Sequence, residues 1–206
     1  MRRVTEVPEA VQQALHDTGV VLAFASFTDV DGTESEARDA VAAALEYEYA
    51  QMLAYWNATP QATPWAAPDR AVLPQLTSRT LTREAFLGDY VDVASGTRLF
   101  SKAYISARGT SMPDLWKGGH FGYAFSTSPY GIRVDAERMQ ALFDGVCAWI
   151  LPAGRTCTIL DWGSPVLLDL WPDYFEPGTE WWGVFLFTVH VAEERQLTVI
   201  LGAATD

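Results

Sequence analysis

The stretch GVFLFTVHVAEERQLTVILGA at residues 183–203 places the strongest constraint on the fold. Its first half is apolar at both parities, with Val184 and Leu186 on one side and Phe185, Phe187 and Val189 on the other. Successive side chains of a strand point to opposite faces, so a strand that is apolar at both parities must be covered on both. The stretch predicts a strand over 183–191 that pairs with 196–202 as a hairpin around Glu193-Glu194 and lies centrally in a covered sheet.

The helices that cover it are sought by periodicity. Residues 7–17 suit a short helix, with Pro8 in a first turn and Gly19 at the end. Residues 34–56 place Ala37, Val41, Leu45, Tyr49, Met52 and Trp56 on one face of the longest helix. Residues 135–151 carry the clearest apolar stripe, formed by Met139, Leu142, Phe143, Val146 and Ile150. Further strands are expected over 20–27, 121–126 and 156–162 and in two stretches within 90–106, and a helical turn over 82–87. Pro60, Pro64, Pro68 and Pro74 make residues 57–80 an irregular loop, a lid or a linker. With 49% hydrophobic and 19% charged residues the chain can bury a large core. The expected fold is α+β over residues 1–206 as a single domain: a mixed or antiparallel sheet with a C-terminal β-hairpin, covered by two or three helices.

Charge narrows the function classes. A net charge of −12, from 26 acids and 14 bases, repels phosphate backbones and disfavours nucleic acid as a partner. It favours a basic protein or a cationic small molecule. No apolar run approaches the roughly 18–20 residues of a membrane-spanning helix, and the N-terminal MRRVTEVPEAVQQALHD lacks the apolar stretch of a signal peptide. A cytoplasmic, membrane-free protein is expected. Two cysteines, Cys147 and Cys157, are too few for a thiolate zinc site, and no pair of histidines has metal-ligand spacing. No metal and no cofactor are expected, since phosphate-cradling and dinucleotide glycine motifs are also missing.

FTDVDGTES at 27–35 resembles the nucleophile motif of haloacid-dehalogenase-type phosphatases, which would make Asp29 the nucleophile, Asp31 the acid/base and magnesium the counter-ion. LGDYVDVA at 87–94 is similar to that family's later Gly-Asp metal motif. The lysine that family needs between the two motifs has no counterpart, because Lys102 and Lys117 both follow them. The other reading of 29–33 is a polar turn whose Asp and Thr cap the next helix.

Residues 156–194 hold Trp162, Trp171, Trp181 and Trp182, seven acids and no lysine or arginine. Within them, WPDYFEPGTEWWG at 171–183 resembles a Trp-x-x-Tyr-Phe-x-x-Gly-x-Glu-Trp-Trp-Gly segment of uncharacterised bacterial, largely actinobacterial, proteins. The resemblance runs to the terminal Ala-Thr-Asp, over about the last 90 residues, and implies no activity. Tryptophan faces attract cations, and neighbouring carboxylates add charge-assisted hydrogen bonds. Trp171, Asp173, Tyr174, Glu176, Glu180, Trp181 and Trp182 are therefore the candidate binding residues. If extended, Trp181 and Trp182 point to opposite faces, so at most one of them lines a site. The other reading is that the rings pack the sheet while the acids solvate a loop.

Two functions follow. One is a binding protein that engages a basic partner through an acidic, aromatic patch, as small immunity or antitoxin-like proteins do. The other is a cofactor-independent enzyme on a small basic or aromatic metabolite, with Glu180 or Asp173 as acid/base and His120, in Gly118-Gly119-His120-Phe121, assisting.

Overall fold

The strands β1 (Arg2–Val4), β2 (Ala23–Thr28), β3 (Arg79–Leu81), β4 (Cys157–Asp161), β5 (Val184–Val191) and β6 (Gln196–Ala203) form one sheet in the order β1-β2-β6-β5-β4-β3. Every pairing is antiparallel. The computed structural model describes residues 1–4, 9–59, 64–87, 121–126, 129–131, 133–180 and 182–203.

The hairpin lies where its sequence requires. β5 and β6 occupy the middle of the sheet, and all eight residues of β5 are buried. Phe185, Phe187 and Val189 meet Ile200 and Phe24 on one face, and Val184 and Leu186 meet Leu197, Val199 and Leu201 on the other. Arg195, at φ +48°, closes the hairpin turn by donating its N–H to the Ala192 carbonyl at 3.2 Å. Polar strand residues pair among themselves: Ser26 and Thr198 share a buried hydroxyl–hydroxyl bond of 3.0 Å across β2 and β6.

Helices cover both faces, giving an α+β protein of three layers. The first face carries α1 (Glu9–Thr18), α3 (Arg83–Leu87), α4 (Phe121–Ser126) and α5 (Ala136–Ile150). The Met139/Leu142/Phe143/Val146/Ile150 stripe of α5 packs here, as its periodicity requires. The second face carries α2 (Glu34–Ala58), α6 (Val166–Leu170) and α7 (Pro172–Phe175). α2 starts at a capping box in which Thr33 Oγ1 accepts the Glu36 N–H and the Glu36 carboxylate accepts the Thr33 N–H. Its small residues Ala37, Ala40 and Ala44, with Val41 and Leu45, are buried. Tyr49, Met52 and Trp56, expected on the same face, are only partly buried.

Two expectations need correction. Residues 121–126 are a helix and not a strand, because Phe121 and Phe125 stand four apart and share a helical face. Phe121 stacks on Phe86 at 4.7 Å, and Phe125 meets Phe143 edge-on at 5.1 Å. The irregular loop of 57–80 ends in a strand, since β3 pairs with β4 at the sheet edge. The loop is also packed: Leu76 is buried, and Arg38 donates to its carbonyl through Nε and Nη2 at 3.2 and 3.1 Å. The phosphatase-like motif, already without its lysine, also lacks the parallel sheet whose strand end it would occupy, since β2 lies between antiparallel neighbours. In this chain, residues 29–33 seat the hairpin turn. Arg195 pairs with Asp31 at 2.6 Å and accepts the Val30 N–H at 3.2 Å. Gly32, at φ +82°, lies so close to His190 that a Cβ would sit 2.2 Å from its Nδ1. The strands expected within 90–106, the Gly-Asp motif from residue 88 onward and His120 lie outside the described residues.

Candidate aromatic site

The segment from 171 to 182 does not form one patch, because it passes from one face of the sheet to the other. Trp171, Tyr174 and Phe175 belong to the core on the α2 face, whereas Trp182 belongs to the opposite core and meets Phe185 edge-on at 5.1 Å. Trp171 and Trp182 are fully buried, and Tyr174 is buried. Glu176 and Glu180 are exposed, and Trp181 lies outside the described residues. An open surface made of all seven expected residues is therefore not what the chain builds.

What it builds is a ring cluster joining the segment to α2 and to the proline-rich loop. Trp171 stacks on Tyr174 with centroids 4.7 Å apart and planes within 15°. Tyr49 of α2 meets Trp171 edge-on at 6.1 Å and Trp56 at 6.4 Å. Trp65 of the loop meets Trp171 at 6.2 Å, Tyr174 at 6.4 Å and Trp56 at 5.4 Å. The cluster is graded in depth, with Trp171 and Tyr174 as the buried floor and Tyr49, Trp56 and Trp65 partly exposed above it. Tyr55 beside Trp56 is 64% exposed.

Trp65 is held in place through the backbone next to it. Trp171 Nε1 donates to the Ala66 carbonyl at 2.8 Å, and Asp173 Oδ2 accepts the Ala66 N–H at 2.7 Å. Asp69 adds a third tie by donating its N–H to the Leu170 carbonyl at 2.7 Å. Both polar groups of one peptide-bearing residue are thus gripped by two residues of the Trp-Pro-Asp turn. Trp171 and Asp173, selected from sequence as binding residues, act in this structure as the supports of Trp65.

The electrostatics of the cluster are one-sided. Residues 46–58 and 165–180 contain Glu46, Glu48, Asp169, Asp173, Glu176 and Glu180 and no lysine or arginine. Arg70 approaches from the loop and forms an ion pair with Glu46. Burial, reinforced by the nearby Glu48 charge, pushes the Tyr174 hydroxyl well above its usual range. α2 runs for 25 residues and ends beside Trp56 with no basic residue in its last turn. The negative end of its dipole is therefore uncompensated by the helix itself.

The residues that sequence reasoning missed are Tyr49, Trp56 and Trp65. The first two stand in sequence only as part of one face of the longest helix, and Trp65 stands in a loop with no periodicity. The signal that was present is a tryptophan between prolines, at Pro64-Trp65-Ala66-Ala67-Pro68, where an unanchored loop has no reason to carry one. No protein-family model, curated protein or solved structure matches the chain.

Proposed function

We propose that this chain is a binding protein that engages a basic protein partner through the face formed by Tyr49, Trp56 and Trp65, in the manner of small immunity or antitoxin-like proteins. The observation that carries the reading is the graded ring cluster: partly exposed Trp56 packs on Trp65, and Trp65 rests on a fully buried Trp171, with only acids among the charged residues of 46–58 and 165–180. Aromatic residues that are fixed from below and open above lose little entropy on binding, which is the composition of an interface hot spot. The surrounding negative charge steers a basic partner and repels acidic ones.

Affinity capture from the native host, with bound proteins identified by mass spectrometry, tests this. The expected catch is a basic protein retained by the parent chain, released by raised salt and lost with Trp65→Ala. Recovery of the same proteins by parent and variant, or of acidic proteins only, would count decisively against this face.

A further inference from the structure

We infer that the group received by this face is the guanidinium of an arginine side chain, lying on the solvent-facing parts of Trp56 and Trp65. The inference rests on the binding role proposed above and names its chemistry. A cation is favoured here by three features that arise separately: the ring faces, the carboxylates along 46–58 and 165–180 other than Glu46, which pairs with Arg70, and Asp173, which holds the Ala66 N–H, and the negative end of α2 beside Trp56. The choice of guanidinium over ammonium follows from shape. A guanidinium is planar and weakly hydrated, so it lies flat on an indole and still directs its edge N–H groups outward. Carboxylates and the last carbonyls of α2 are acceptors for such donors. An ammonium is compact and strongly hydrated, and it stays with water or a single carboxylate.

Access to the rings fits this use. In sequence, Trp56 is followed by Asn57 and Ala58 and preceded at one turn by Met52, and Trp65 stands between Pro64 and Ala66. Ala54, Ala58, Ala66 and Ala67 are all exposed and carry no side chain long enough to lie across an indole. The fold already contains the same pairing internally, where the Arg38 guanidinium carbon lies 5.7 Å from the Trp162 ring centre while Nε and Nη2 donate to the Leu76 carbonyl. There the cation lies over an indole while its N–H groups donate to a backbone oxygen. The proposed contact repeats that arrangement at the surface.

Calorimetric titration of the full chain with a tetra-arginine peptide and with a tetra-lysine peptide of equal charge tests the inference. Tetra-arginine should bind about tenfold more tightly, and Trp56→Leu and Trp65→Leu, measured separately, should each reduce that ratio towards one. Both variants keep an apolar side chain, and their melting curves establish that they are folded. The parent comparison does not depend on them. Equal affinity of the parent for the two peptides would overturn the arginine assignment and leave the basic-partner reading standing. Failure of both peptides to bind would overturn the two together. Arginine preference that persists in both leucine variants would place the guanidinium elsewhere and overturn the assignment to these rings.

Discussion

Trp162 and Trp182 are equally buried on opposite faces of the sheet, but only one has a partner for its ring nitrogen. Trp162 Nε1 donates to Thr188 Oγ1 at 3.0 Å, whereas Trp182 Nε1 is buried with no partner among the described residues. An unsatisfied buried donor carries a desolvation penalty of about 1–3 kcal/mol, and replacing Trp by Phe removes that donor. At Trp162 the same change removes a bond and strands the Thr188 hydroxyl. Trp162→Phe should therefore destabilise the fold by about 1–3 kcal/mol more than Trp182→Phe in urea melts; equal losses would show that ring volume alone matters at both sites. A second residue-scale expectation concerns pH. Burial, opposed by Arg83 and aided by Asp144, pushes the Cys147 thiol up to about 12 from 9.0. The unfolded chain then loses this proton at lower pH than the folded one, so the unfolded state is favoured progressively as pH rises from about 9 towards about 12. Stability contributed by the neutral thiol is complete below that window and lost through it. Cys147→Ala should make the decline of Tm across this range shallower than in the parent, and parallel curves would refute the linkage.

The secondary-structure elements differ in how much of their placement was legible. The hairpin was legible because both parities of 184–187 are apolar, and α5 because its stripe recurs every three or four residues from Met139 to Ile150. Phe143 anchors that stripe under Phe121 and Phe125, at 5.9 and 5.1 Å. Phe143→Ala should cost about 3–5 kcal/mol by chemical denaturation, and a variant melting with the parent would show that the ring is not a core anchor. α4 was misread because six largely apolar residues fit a strand or a helix equally, and the stacking partner Phe86 that decides it lies 35 positions away, from 121 − 86. The candidate site was legible by half. Trp171, Asp173 and Tyr174 stood out as a segment, but their link to Trp65 spans 107 positions and joins an irregular loop to a four-residue helix, neither of which carries a periodicity to be read. That link gives its own expectation: Asp173→Ala frees the Ala66 N–H to solvent, so stability should fall by only about 0.5–1.5 kcal/mol while tryptophan emission shifts to longer wavelength as Trp65 loosens. A large stability loss with unchanged emission would mean that Asp173 supports the core and not the ring.

Charge and topology act on the molecule as a whole. A net charge of −12 on 206 residues makes the folded chain repel itself, and salt screens that repulsion. Raising ionic strength from about 0.02 M to about 0.5 M should raise Tm, while weakening capture of a basic partner over the same range. A Tm that falls with salt would show instead that ion pairs such as Asp31–Arg195 outweigh the repulsion. The order of the strands carries a different consequence, one that concerns time. β6 lies between β2 and β5, although both precede it in the chain. On the ribosome Ser26 waits 172 residues for Thr198 to be made, an interval of about 10–35 s at ordinary elongation rates. Throughout it β2 exposes the edge that β6 will cover, with Phe27 among its side chains, whereas β5 is made only just before β6. Unpaired apolar edges are templates for pairing with other chains. The nascent polypeptide is thus open to mispairing along that edge until its central strand emerges, whatever the stability of the finished sheet.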